Sequence, residues 1–302
     1  MMGARVSVII NASSGAPKIS GLSADLAGRF KAAEFEPDIR LVNSPEIAAE
    51  VRRAVAAKPG MIVIGGGDGT LSAAASSLIG TGTALGILPL GTLNHFAKDL
   101  HIPLDIEGAV QTIAGAQTLK VDVGAVNDRF FLNNSSLGLY PKVVAGRDAL
   151  QQRLGRGKLP ALIWSGLGVL RRYPFLNVRI AIDGTELARR TPFVFVGNNR
   201  YEMEGFRIGE RARLDGAELS LYVANRTGRL GLLLLALRAL FKRLKQSKDF
   251  DMTAATSMQV ETRHDRLRVA NDGELCYMRT PLNYRVLPAA LSVIVPGPAA
   301  TS

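Results

Sequence analysis

Four apolar residues, Met61-Ile62-Val63-Ile64, run without a break into Gly65-Gly66-Gly67-Asp68-Gly69-Thr70. A short apolar run closed by three glycines predicts a buried strand feeding a tight turn. The Ala- and Ser-rich stretch Leu71 to Ile79 follows and predicts a helix. Glycine has no Cβ, so a phosphate can approach the backbone N–H groups of such a turn closely. The N-terminus of the next helix adds further donors and a favourable dipole. Asp68 is out of keeping, because a carboxylate repels a phosphate unless a cation lies between them. The simplest chemistry that accommodates both is a Mg2+–nucleotide site. On this stretch alone, a plain strand–turn–helix corner with an Asx turn is the alternative.

The first 125 residues repeat this alternation. Strands are predicted at Arg5 to Ile10, Asp38 to Val42, Ala84 to Leu88 and Leu119 to Gly124, with helices at Leu22 to Ala33, Glu46 to Ala57 and Ile106 to Ala114. Such an order implies a parallel sheet with helices on both faces. Polar turns follow the strands: Asn11-Ala12-Ser13-Ser14-Gly15 after the first, Asn43-Ser44-Pro45 after the second, and Pro89-Leu90-Gly91-Thr92-Leu93-Asn94-His95 after the fourth. The carboxyl ends of strands are where open α/β sheets bind ligands. Thr92 offers a hydroxyl to a phosphate, and Asn94 can hydrogen-bond or cap the helix that follows. Asp122 falls inside a strand, an unusual place for a carboxylate unless it is at the rim or paired with a cation.

Beyond residue 125 the period changes to two. Short strands are predicted at Arg129 to Asn133, Leu176 to Ile182, Phe193 to Gly197, Leu219 to Val223, Met258 to Thr262, Leu267 to Ala270, Asn283 to Leu287 and Leu291 to Val295. Asp183-Gly184 and Asn271-Asp272-Gly273 supply turn chemistry between them. The expectation is therefore an α/β domain over residues 1–125 and an antiparallel, sandwich-like domain over 126–302. Two apolar stretches interrupt the second domain. Leu159 to Leu170 is flanked by arginines, and Leu230 to Leu244 carries Arg238 and Lys242, with Lys245 following at helical spacing. Basic amphipathic helices of this kind read as membrane-surface material, or as helices packed on the sheet with a solvated charged face.

Charge bears on the partner. The net charge of +11 and pI of about 10.1 favour an anionic one. Aromatic residues make up 6% and show no alternation with basic ones, so membrane lipid is expected rather than nucleic acid. The single cysteine, Cys276, excludes an intramolecular disulfide and suits a reducing compartment. No uninterrupted apolar stretch of about 18 residues is present, so no spanning helix is expected.

Taken together, the Asn11 to Gly15 turn, GGDGT at Gly66 to Thr70, PLGTLNHFA at Pro89 to Ala97, FLNNSSLGLYP at Phe131 to Pro141, GNN at Gly197 to Asn199 and NDGE at Asn271 to Glu274 form an ordered set. By this set the chain resembles the diacylglycerol kinase catalytic family, which includes bacterial lipid kinases and the sphingosine kinases. GGDGT is shared with NAD kinases and phosphofructokinases; the PLGT-N-FA block and the late DGE separate the lipid kinases from them. The resemblance implies an α/β nucleotide-binding domain, a β-sandwich-like domain and an active site in the cleft between them. It implies ATP and Mg2+, with Asn11, Ser13, Ser14, Gly15, Gly66, Gly67, Asp68, Gly69, Thr70, Thr92 and Asn94 around the nucleotide, and Ser44 as the hydroxyl near the end of the second strand. Asp68 and Asp122 are the implied Mg2+ ligands. Asp272 and Glu274 are the implied source of the base for the lipid hydroxyl; their spacing does not choose between them, and the resemblance favours Glu274. Asp215 is the candidate ligand for a structural metal, although its Asp-Gly turn is shifted by one position. His95 stands where many relatives carry Asp.

The implied activity is transfer of the γ-phosphate of ATP to diacylglycerol or a related long-chain lipid alcohol, by a cytoplasmic protein held peripherally on an anionic membrane, with a homodimer as an open expectation. A kinase of a soluble hydroxyl compound such as NAD, or a non-catalytic lipid-binding protein, are the competing readings.

Overall fold

The computed structural model describes residues 4–13, 19–138, 175–204, 207–224 and 250–297. The expected helices at 159–170 and 230–244, with Arg238, Lys242 and Lys245, lie outside the described residues, as do Ser14 and Gly15. The chain divides into two compact units: Met1–Val123 with Arg213–Ala217 and Leu287–Ser302, and Gly124–Ala212 with Glu218–Val286. The expected second domain ran from 126 to the C-terminus; the structure returns its last stretch, and the short segment Arg213–Ala217, to the first unit.

The first unit contains β1 (Ala4–Asn11), α1 (Ile19–Ala32), β2 (Phe35–Val42), α2 (Ile47–Val55), β3 (Met61–Gly66), α3 (Asp68–Leu78), β4 (Ala84–Pro89), α4 (His95–Asp99), α5 (Ile106–Gly115) and most of β5 (Thr118–Val126). The strands are parallel in the order β2-β1-β3-β4. From Ile62 to Gly66 and throughout β4 every residue is buried, as expected of central parallel strands covered on both faces. Helix α3 begins at Asp68, three residues before the expected Leu71, so the Asp-Gly-Thr of the motif forms its first turn.

The second unit is built from β6 (Arg129–Phe131), β7 (Asn134–Gly138), β8 (Leu176–Ile182), β9 (Thr185–Thr191), β10 (Phe193–Asn198), β11 (Tyr201–Glu204), β12 (Arg207–Arg211), β13 (Leu219–Ala224), β14 (Phe250–Ala255), β15 (Ser257–Thr262), β16 (Arg266–Asn271), β17 (Glu274–Arg279) and the start of β18 (Leu282–Ile294). One antiparallel sheet runs β14-β13-β10-β7-β16-β17. The hairpin β8–β9, β15 and the first residues of β18 form a second antiparallel set. Leu137, Val194, Val196, Leu221 and Val269 from the first set share one core with Val178, Ile180, Val260 and Leu282 from the second, the packing of a β-sandwich. Asp183-Gly184 and Asp272-Gly273 turn their hairpins with all four residues at positive φ, the geometry that matches the strands' twist.

The two strands expected at 283–287 and 291–295 are one, β18. Its first residues pair with β15 in the second unit, whereas Val293 pairs with Leu85 of β4 in the first. Ala289, at φ 50°, interrupts its extended run, and its N–H donates to Asp122 Oδ1 at 2.9 Å. No helix among the described residues is long and apolar enough to cross a membrane.

Candidate active site

In the first unit, the carboxyl ends of β1 and β2 meet the first turn of α3. The Asn11 amide donates to Thr70 Oγ1 at 2.8 Å and to Ser44 Oγ at 3.0 Å, while its Oδ1 accepts from the Ser44 hydroxyl at 3.2 Å and from the Ser13 N–H at 2.9 Å. Four residues expected around a nucleotide from three separate turns thus form one hydrogen-bonded group. Asn11 and Thr70 are buried, so this group is a fixed scaffold. The first internal bond of α3 runs from Leu71 N–H to the Gly67 carbonyl. The N–H groups of Gly69 and Thr70 precede it in the first turn, the end of a helix that favours an anion.

The glycines here serve close packing. A Cβ on Gly66 would lie 2.5 Å from the Thr70 Cβ, and one on Gly91 would lie 2.4 Å from the Gly67 Cα. The turn after β3 therefore closes against the loop after β4 because neither residue carries a side chain. Asn94 fixes that second loop from within. It sits at φ 49°, a conformation Asn tolerates, and its side chain accepts from Gly91 N–H and donates to the Pro89 and Gly91 carbonyls at 2.9–3.1 Å. Its amide is thus committed to the loop. Thr92 is exposed on the same loop.

The expected metal ligands fall in different surroundings. Asp68 accepts from the backbone N–H groups of His95 at 3.2 Å and Phe96 at 3.0 Å, the start of α4. Its charge is thus partly answered within the protein. His95 donates this backbone N–H and keeps its ring exposed. Asp122, 2% exposed, accepts from Ala217 N–H at 2.7 Å and Ala289 N–H at 2.9 Å. Both of its oxygens thus accept an amide, as do those of Asp68, and Asp122 ties β5 to Arg213–Ala217 and to β18. Asp215 is ion-paired with Arg213 at 2.9 Å, and both are exposed. Among the described residues no group of three or more His, Cys, Asp or Glu is arranged to hold a metal. Magnesium bound through a nucleotide's phosphates needs only one or two protein carboxylates, and Asp68 fits that requirement.

In the second unit, Asp272 and Glu274 flank Gly273 at the β16–β17 turn. The Asp272 carboxylate folds back to accept from Leu132, Asn133 and Asn134 N–H at 2.7–2.9 Å. Sequence reading missed the other half of this arrangement. Arg211, 3% exposed, donates to the Leu132 carbonyl at 2.7 Å, the Asn198 carbonyl at 3.0 Å and Asn133 Oδ1 at 2.7 Å, and stacks over Tyr201. Residues 132–134 are therefore gripped by an anion on their N–H side and a cation on their carbonyl side. No local pattern around Arg211 announces this role.

Glu274 is exposed at the surface, yet enough protein lies against its carboxyl to desolvate it in part. That desolvation raises its pKa above the ordinary carboxylate value, the negative charge of Asp272 adds to the rise, and Arg129 opposes it. A raised carboxylate pKa makes a stronger base.

Residues 5–126 match the diacylglycerol kinase catalytic domain, and residues 142–295 match the YegS C-terminal NAD kinase beta sandwich-like domain. A diacylglycerol kinase of Staphylococcus carnosus is 27% identical over 226 residues, covering 74% of this chain and 73% of that one. An uncharacterised Synechocystis protein is 30% identical over 241 residues; the match covers 78% of this chain but spans only 54% of that relative's length. A crystal structure from Bacillus anthracis superposes with a TM-score of 0.77 at 24% identity over 99% of both chains. A second from the same organism, a diacylglycerol kinase, gives 0.72 at 22% identity over 98% of both. At these identities the two structures speak to the fold.

Proposed function

We propose, from the fact that the chain belongs to the diacylglycerol kinase catalytic-domain family of lipid kinases, that it transfers the γ-phosphate of ATP to the hydroxyl of diacylglycerol or a related long-chain lipid alcohol. The observation that carries this reading is the hydrogen-bonded group of Asn11, Ser44 and Thr70 at the first turn of α3. It is a rigid, donor-rich seat for polyphosphate at the carboxyl ends of parallel strands.

Phosphoryl transfer asks the protein for positioning, for charge compensation and for a group that takes the hydroxyl proton. The first-turn N–H groups of α3 hold and orient phosphate oxygens. Asp68 is the carboxylate suited to a nucleotide-bound Mg2+, which supplies compensation for the charge of the transferring phosphoryl group. Glu274 accepts the proton of the lipid hydroxyl as the oxygen attacks phosphorus. Asp272 holds the turn on which Glu274 stands and is a positioning residue. The protein acts at a membrane surface, because its acceptor is a bilayer lipid.

The test is labelled ATP with diacylglycerol in mixed micelles, with and without Mg2+, and with NAD as a soluble competitor acceptor. Label in phosphatidic acid, dependent on Mg2+ and lost in Glu274→Gln, is the expected result. Label in NAD phosphate alone, or vesicle binding without any transfer, overturns the reading.

A further inference from the structure

The outward face of the β16–β17 hairpin in the second unit carries a cluster of charge. In its register Arg266 stands opposite Arg279, and Arg268 opposite Tyr277. Directly opposed residues share one face of an antiparallel pair. Leu267, Val269 and Met278 belong to the sandwich core on the other face, with Cys276 packed against it. The three arginines and the tyrosine therefore point away from the core. All three arginines are exposed, and Tyr277 is 73% exposed, the most exposed of the large hydrophobic side chains among the described residues.

Like charges directly opposite each other oppose hairpin formation. Among the described residues none of the three arginines has an ion-pair partner to relieve this. Charge on an edge strand deters pairing with another sheet, and β17 is an edge. That accounts for Arg279 alone. Arg266 and Arg268 lie on the inner strand, and an exposed tyrosine on the edge works against such protection.

We propose that this face docks on the surface of an anionic lipid bilayer. Guanidinium groups match lipid phosphates with paired donors. A tyrosine ring with a polar tip suits the boundary between headgroups and acyl chains. The net charge of +11 adds long-range attraction to the same partner. Nucleic acid would also attract the arginines, but one tyrosine offers no run of rings on which successive bases could stack. The choice of a bilayer rests on the lipid-kinase reading, since that acceptor resides there.

The test is sedimentation of the full chain with vesicles of phosphatidylcholine alone, or of phosphatidylcholine and phosphatidylglycerol in equal parts, without ATP. Binding is expected only to the anionic vesicles. Each arginine changed to Gln is expected to weaken it about fivefold, so Arg266→Gln with Arg268→Gln weakens it about 25-fold at low salt. Tyr277→Ser weakens binding and leaves its salt dependence unchanged. Thermal midpoints of the arginine variants stay level or rise, because repulsion has been removed. Unchanged vesicle binding in the arginine variants overturns the proposal. So does tighter binding to duplex DNA than to vesicles, lost in the same variants. Phosphorylation of a short-chain diacylglycerol dispersed as monomers separates this from the reaction itself, because the variants should match the wild type there. If the wild type lacks that activity while the vesicle results hold, the kinase reading fails and the docking face stands.

Discussion

Asp272 and Glu274 differ in what their oxygens touch. Three backbone N–H groups converge on Asp272, while Glu274 keeps a partly desolvated carboxyl and a raised pKa. Loss of a general base costs about 10²–10⁴-fold in rate, so Glu274→Gln is expected to lower kcat by that much and leave the thermal midpoint unchanged. Asp272→Ala should instead cost about 3 kcal/mol of stability, read from the denaturant midpoint, because it strands three amides; Asp272→Asn should recover part of it. Arg129 holds the pKa of Glu274 down by favouring its charged form. The base works deprotonated, so kcat/KM falls as pH drops through that pKa. Arg129→Gln therefore moves the acid limb of the profile to higher pH, and an unmoved limb would remove Glu274 from the base role. The DGE spacing made this pair visible in the sequence. Their division of labour was not visible, because it depends on amides 138–140 positions away in the chain.

The strand–turn–helix of β3 and α3 was the most legible element, since glycine and aspartate punctuate it sharply. Its packing demand is equally sharp. A Cβ at Gly66 meets Thr70 with only 2.5 Å of room, so Gly66→Ala is expected to destabilise by about 1–3 kcal/mol and to displace Thr70 from Asn11. Isothermal titration with ATP should then show weakened binding even where the variant folds. The hairpins at Asp183-Gly184 and Asp272-Gly273 were legible for the same reason, as turn chemistry is local. Strands β9 and β17 were not. β9 is mostly polar and exposed, and β17 shows no clean apolar alternation, so both owe their pairing to a neighbour. Strand β18 read as two pieces because Pro288 and Ala289 break its alternation. The apolar alternation of its second piece does not say which sheet it will join.

The first unit is assembled from three separated stretches of chain, and Asp122 records this directly. Its two amide donors lie 95 and 167 residues further along, in Arg213–Ala217 and Leu287–Ser302. A fragment of residues 1–125 lacks both donors and the β18 residue that pairs with β4. We expect it to remain without fixed tertiary structure, seen as absent near-UV dichroism, while the full chain shows it; a cooperative melt in the fragment would contradict this. A buried carboxylate deprived of its partners is costly enough to decide the outcome. Translation runs from the N-terminus at about 5–20 residues per second, and domains commonly fold as they emerge. Here the first unit must wait on the ribosome until β18 has been made, so its maturation follows synthesis of the sandwich, and a nascent chain stalled in between presents an unfinished sheet edge beside β4.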